Sequence, residues 1–161
     1  MSALRKFHEP IGALAVSFSQ LETLVMVFIV GLIEVDPNVG MALVSEMSFA
    51  KRLDALQSIA PFTIKDATLC EELAEVIAHM SESECQRNTI LHTTWALSGQ
   101  SNVMRLKPTA KRKKGLKTNL RAASVDDVIA AREHITTSMT KLSAYIRKIQ
   151  ERGIFKLEIC Q

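Results

Sequence analysis

The chain has 161 residues, 47% of them apolar and 23% charged, and it carries 20 basic and 17 acidic side chains. A chain of this length can bury a full core, and six Gly and four Pro residues are too few for a disordered chain, a collagen-like repeat or a turn-rich β sandwich. We therefore expect one all-α domain over residues 1–161, an antiparallel bundle of about five helices.

The first predicted helix carries one apolar stripe along about six turns, because its apolar residues recur at alternating spacings of three and four. These residues are Ile11, Leu14, Phe18, Leu21, Val25, Phe28 and Leu32. Only residues 24–33 are continuously apolar, a length typical of a core helix rather than a membrane span. We therefore expect no membrane association. The rest of the domain or a second subunit must cover this apolar surface, and we expect a homodimer.

Two shorter helices are predicted next. Asp36 and Pro37 have the residue types of an N-cap and a first helical position, and the helix should run to about Val44. Ser48 is the predicted N-cap of a third helix, which we expect Pro61 to stop.

The fourth predicted helix runs from about Asp66 to about His92, and its inner face changes character along the way. Apolar residues line that face up to Met80. The same spacing then leads to Ser83, Glu84 and Arg87. Because charged groups on an inward face need partners or a function, this end of the helix is a candidate site.

An insertion of about residues 98–123 is predicted before the last helix. Residues 93–97 and 103–107 flank a turn-rich cluster, which predicts a small β hairpin followed by a basic loop. Ser124 and Asp127 resemble a capping box, and the last helix should end near Gly153.

The insertion concentrates positive charge. Between residues 105 and 121 there are eight basic residues and no acidic one, so the rest of the chain holds 12 basic and 17 acidic side chains. Such a segment can bind RNA phosphates without sequence specificity, although it could also be only a solvated loop. The predicted nucleic-acid-binding residues are Arg105, Lys107, Lys111, Arg112, Lys113, Lys114, Lys117 and Arg121.

The three cysteines form no pattern typical of a metal site. Cys70 and Cys85 lie on one predicted helix roughly 22 Å apart, which is too far for a disulfide. The sequence therefore predicts a cytoplasmic protein that needs neither metal nor cofactor. His79 and His134 have no neighbours at metal-ligand spacing, so we interpret both as ordinary helical residues.

The chemically suggestive residues lie at the end of the fourth helix. Glu84, Asn88 and His92 follow one another at intervals of four, with Arg87 beside them, so all four could line one pocket. The alternative is that Arg87 pairs with Glu84 on a solvated face and that His92 merely interacts with the helix dipole.

The segment Arg87-Asn88-x-x-x-His92 resembles the signature of the HEPN family, a family of small helical bundles whose motif is Arg-polar-x-x-x-His near a helix end. A looser resemblance includes Leu21-Glu22 in the first helix, Ser48-Phe49 at the start of the third, and Trp95 beyond the motif. Many relatives carry Gly after the histidine, where this chain has Thr93.

The resemblance implies metal-independent RNA cleavage by a homodimer, in which two motifs face one cleft. His92 would move protons at the ribose 2′-hydroxyl and the leaving oxygen, Arg87 would stabilise the phosphate charge, Asn88 would orient either partner, and Glu84 would support them. Such an enzyme could be a toxin or defence effector, restrained by a cognate antitoxin or another partner protein.

Two other hypotheses remain open. Many HEPN relatives are non-catalytic, so the chain could instead be a module that binds nucleic acid or a protein, for which the basic loop suffices. It could also be a helical subunit of a larger assembly, as the apolar end of the first helix suggests. In each case Trp95 is interpreted as a packing residue over the motif rather than a surface for base stacking.

Overall fold

A computed structural model of the chain describes residues 3–98, 102–111 and 115–154. Five helices and one three-stranded sheet make up the fold, so the prediction of a mainly helical fold with five helices is confirmed. The label all-α was too narrow. The helices are α1 Arg5–Ile33, α2 Pro37–Ser45, α3 Phe49–Thr63, α4 Ala67–Leu91 and α5 Val125–Glu151.

Helix α1 is the centre of the core. It contacts each of the other four helices, and it begins six residues before the predicted stripe, with Phe7 buried on its first turns. By length and composition it could cross a membrane, a test that the core helix of a soluble protein also passes. Its most hydrophobic window is 44% buried against the rest of the chain.

The predicted helix starts are confirmed by their side-chain caps. The Asp36 carboxylate accepts hydrogen bonds from the backbone N–H groups of Asn38 and Val39, Ser48 accepts one from Lys51, and Pro37 is the first residue of α2. These bonds satisfy N–H groups that have no partner within the helix.

The predicted stop at Pro61 was wrong. Helix α3 continues to Thr63, and its end is closed by a hydrogen bond from the Ile64 N–H to the Ala60 carbonyl at 2.8 Å. A proline this close to the end removes only one donor from the last turn, and the following residues can keep helical geometry.

Helices α4 and α5 run antiparallel. The Tyr145 hydroxyl, near the end of α5, donates to the Leu69 carbonyl near the start of α4 at 2.9 Å. Closer to the middle of both helices, His79 contacts Ser138. The insertion that joins these two helices therefore leaves α4 and returns to α5 at the same end of the bundle.

The insertion contains the predicted β hairpin, but a third antiparallel strand follows it where the sequence predicted a basic loop. Its strands are β1 Thr94–Ser98, β2 Asn102–Lys111 and β3 Gly115–Ala122, in the order β1-β2-β3. The sequence of β3 alternates Leu116, Thr118 and Leu120 with Lys117, Asn119 and Arg121. This period of two is typical of a strand, and the charge of the segment obscures it.

The start of α5 differs from the predicted capping box. Ser124 is the N-cap, but its hydroxyl accepts from the Asp126 N–H. The Asp127 carboxylate binds Arg105 of β2 at 2.9 Å instead of folding back on the helix. The helix start is thus used to attach the sheet to the bundle.

Candidate active site

Arg87 lies in the last two turns of α4, where the guanidinium group covers an aromatic ring of α1. Its Cζ atom is 4.8 Å from the centre of the Phe18 ring, a geometry at which the ring face attracts a cation. Phe18 is itself buried and packs against Phe49 of α3. The guanidinium of α4 therefore lies on a ring of α1 that packs in turn against α3.

The guanidinium is bonded to both other members of the motif. Arg87 Nη1 donates to the Asn88 Oδ1 at 2.9 Å and lies 3.0 Å from the His92 Nε2. Because a guanidinium has no lone pair to accept with, the His92 Nε2 must be the acceptor in this contact. An Nε2 that accepts leaves Nδ1 as the ring nitrogen that can donate.

The two residues of the pair have different exposure. His92 is exposed to solvent, whereas Arg87 is half-buried and its Nε atom is buried without a hydrogen-bond partner among the described residues. A buried donor of this kind is uncommon in folded proteins. The arrangement holds one fixed cation below a solvent-accessible base.

Glu84 does not join this group. Within the described part of the chain its carboxylate forms no ion pair or hydrogen bond, so the predicted support is not seen. The alternative interpretation, in which Arg87 pairs with Glu84 on a solvated face, also fails. Glu22 of α1 contacts Arg52 at 3.5 Å and does not contact the motif.

The chain after the motif turns without glycine. The His92 N–H bonds to the Asn88 carbonyl at 3.2 Å, and the Thr93 hydroxyl donates to the Leu106 carbonyl of β2 at 3.0 Å. Thr93 does not need a positive φ. The threonine therefore connects the turn to the sheet at the position where many HEPN relatives carry glycine.

Trp95 packs as predicted. Its indole N–H donates to the Ile90 carbonyl at 3.1 Å, and its ring lies 5.0 Å from that of Phe7. The first contact holds β1 against the end of α4, and the second holds it against the start of α1.

The predicted nucleic-acid-binding residues fall into three groups. Arg105 and Lys107 lie on β2 and Arg121 lies on β3, and all three line one cavity of about 190 Å³. Thr89 of α4 and Thr93 line the same cavity, together with Asn119. Lys111 and Lys117 also belong to these strands, whereas three of the predicted residues lie outside the described part of the chain: Arg112, Lys113 and Lys114.

A second polar cluster connects α4 and α5, and sequence reasoning missed it. The rings of His79 and His134 are stacked, with centres 4.0 Å apart and planes only 4° from parallel. His79 Nδ1 lies 2.6 Å from the hydroxyl of the fully buried Ser138, which in turn lies 2.7 Å from the Ser83 hydroxyl. The sequence predicted two ordinary helical histidines, whereas the structure places both in one hydrogen-bonded cluster between α4 and α5.

This stacked pair predicts a loss of stability in acid. Burial lowers the pKa of His79 from its ordinary value of 6.5, and the nearby charges of His134 and Lys141 lower it further. The unfolded chain, with the ordinary pKa, then binds more protons than the folded chain. We expect the free energy of unfolding to hold its full value above about pH 6.5 and to decline as the pH falls through the folded-state pKa of His79.

Urea unfolding of wild type and of His79→Gln, repeated from neutral to mildly acidic pH, measures this decline. The variant should lose less stability on acidification than wild type, while His8→Gln, a change at an exposed histidine, should follow wild type. Equal declines in wild type and His79→Gln would show that the stacked pair has no part in it.

The described residues contain no group of three or more His, Cys, Asp or Glu side chains that could hold a metal ion. The guanidinium and imidazole pair of Arg87 and His92 combines a fixed cation with a side chain suited to proton transfer, next in the chain to residues that line the cationic cavity. In comparisons with known proteins, no family model, curated sequence or solved structure matches this chain.

Proposed function

We propose that the chain is a metal-independent endoribonuclease of the HEPN type. The observation that carries the proposal is the 3.0 Å contact between Arg87 Nη1 and the exposed His92 Nε2 at the C-terminal end of α4. An imidazole can move the protons of a phosphodiester transesterification, and a guanidinium can stabilise the charge that develops on the phosphate.

In the proposed reaction the Arg87 guanidinium turns from His92 to the phosphate, which frees the His92 Nε2 lone pair to accept the proton of a ribose 2′-hydroxyl. The 2′-oxygen attacks the adjacent phosphorus, the bond from phosphorus to the 5′-oxygen breaks, and that oxygen leaves with a proton returned from an imidazolium. The products are a 2′,3′-cyclic phosphate and a 5′-hydroxyl. Arg87 stabilises the negative charge that develops on the phosphoryl oxygens, since a guanidinium can donate two parallel hydrogen bonds.

A homodimer would complete this site. The attacking and leaving oxygens lie on opposite sides of the phosphorus, and one imidazole is poorly placed to serve both. Two copies with their motifs facing one cleft would supply one His92 for each oxygen. The proposal includes that dimer, in which the two exposed imidazoles share one RNA strand.

The cellular role is proposed from the chemistry of Arg87 and His92, which would act on phosphate and ribose rather than on bases. A cytoplasmic nuclease that recognises only phosphate and ribose would attack the RNA of its own cell, so we propose a toxin or defence effector that a cognate antitoxin or another partner protein restrains.

Incubation of purified wild type with mixed cellular RNA in EDTA tests the proposal. We expect cleavage to proceed, to leave 2′,3′-cyclic phosphate ends, and to spare DNA and 2′-O-methyl RNA, which have no free 2′-hydroxyl. A His92→Ala preparation made in parallel controls for a contaminating nuclease. Intact RNA, or equal cutting by both preparations, would refute the proposal.

The second candidate function is a non-catalytic module that binds nucleic acid. The observation that favours it is the cationic sheet surface of β2 and β3, which needs no reactive group to hold a phosphate backbone. Salt-dependent RNA binding by wild type, with no cleavage under any of the conditions above, would select this function over the first.

A further inference from the structure

The register of the sheet gathers positive charge on one face. Arg105 of β2 is directly opposite Arg121 of β3, and Lys107 is directly opposite Asn119. Residues two apart on a strand point to the same side, so these four side chains share one face. Like charges directly opposite each other destabilise a sheet unless an opposite charge lies between or beside them.

The described residues supply only one counter-charge. Asp127 pairs with Arg105 at 2.9 Å, whereas Lys107 and Arg121 are exposed and form no ion pair or side-chain hydrogen bond within residues 3–98, 102–111 and 115–154. The face therefore has two uncompensated positive charges next to each other.

Arg105 is held firmly on this face. Its side chain is 13% exposed, it lies 5.9 Å from the centre of the Trp95 ring, and its Nε atom is buried without a hydrogen-bond acceptor among the described residues. Buried donors are nearly always hydrogen-bonded in folded proteins, so an acceptor that bound this permanently charged group would stabilise it. Arg105 thus resembles an anchor for an anion rather than a mobile surface cation.

The cavity on this face is small, and its lining is cationic. Its volume of about 190 Å³ is smaller than the roughly 300–1,000 Å³ of sites for drug-sized ligands. Its lining contains three cations and the Asn119 amide but no carboxylate. The hydroxyls of Thr89 and Thr93 donate to backbone carbonyls, so the cations and the amide are the donors that remain.

We propose that this cavity binds one backbone phosphate of a single-stranded RNA whose neighbouring phosphate lies at the Arg87/His92 pair. The cavity adjoins the pair along the chain, since Thr89 follows Asn88 and Thr93 follows His92. The proposal of RNA as ligand rests on the proposed function. The binding of a phosphate strand does not depend on cleavage.

The test measures the affinity of a fluorescent 2′-O-methyl RNA strand, which cannot be cut by a 2′-hydroxyl, over a range of salt concentrations. We expect Lys107→Ala/Arg121→Ala to bind about tenfold more weakly at low salt. Each phosphate that the variant no longer neutralises should reduce the slope of log affinity against log salt by about 0.7. Arg132→Ala and Lys51→Ala, changes at exposed cations away from the sheet, should match wild type.

Unchanged affinity and salt slope in the double variant would overturn the inference. So would a mononucleotide that competes as well as the strand, because the cavity would then be a site for a small nucleotide. Both altered side chains are exposed and unbonded within the described ranges, so the variants should fold normally.

The two proposals can fail separately. Loss of binding in the double variant, with no RNA cleavage by wild type, would leave the phosphate site in place and remove the nuclease. Cleavage that needs His92, with binding unaffected by the double variant, would support the nuclease and remove the phosphate site.

Discussion

Replacement of His92 by alanine is expected to lower the rate of RNA cleavage by about 10²- to 10⁴-fold, the contribution typical of a general acid–base residue. His92 is the motif side chain that is both exposed and in contact with Arg87, so it can reach a ribose while the guanidinium lies beside it. Its loss removes the proton acceptor and leaves Arg87 to bind phosphate alone.

The fold should tolerate this change. The His92 side chain is exposed, and its backbone N–H still closes the last turn of α4 on the Asn88 carbonyl. Single-turnover rates on one RNA should be compared for wild type, His92→Ala and His8→Ala, after thermal unfolding shows the same transition for all three. A His92→Ala rate within a few-fold of wild type would remove this residue from the chemistry.

The helices could be predicted because their signals are local. The N-caps at Asp36 and Ser48 and the apolar spacing of α1 each depend on residues within a few turns, and all are found as expected. The prediction at Pro61 was wrong because the effect of a proline depends on its distance from the helix end, and no local pattern fixes where α3 ends.

The third strand could not be assigned with the same ease, because its stability depends on pairing with β2. Its charge favours a loop, yet residues two apart on β2 and β3 place their charges on a single face. The alternation is present in the sequence. What the local pattern does not show is that β2 pairs with this segment and that Asp127 of the next helix supplies a counter-charge.

The candidate site was predictable in part for the same reason. Arg87, Asn88 and His92 come together because they span little more than one turn of one helix, and helical geometry alone brings them close. The Phe18 ring beneath Arg87 comes from another helix, and the stacking of His79 on His134 joins residues 55 positions apart. Such contacts depend on packing between helices, which periodicity does not specify.

Replacement of Arg87 by lysine is expected to reduce cleavage by about 10²- to 10³-fold, the cost of removing a fixed donor to a developing negative charge. Lysine keeps a positive charge near the Phe18 ring, so the fold should be retained. The guanidinium now contacts Asn88 and His92 through its Nη1 atom, and its planar shape could donate two parallel hydrogen bonds to a phosphate. A single ammonium group cannot reproduce this geometry.

Cleavage rates and thermal unfolding of Arg87→Lys and Arg87→Ala, with Arg132→Lys as the matched control at an exposed arginine, separate charge from geometry. If the guanidinium acts through its paired donors, the lysine variant should be nearly as slow as the alanine variant while remaining more stable, because only lysine can still interact with the Phe18 ring. A lysine variant as fast as wild type would mean that any cation at this position suffices. The 3.0 Å contact with His92 would then be a feature of the fold and not of the reaction.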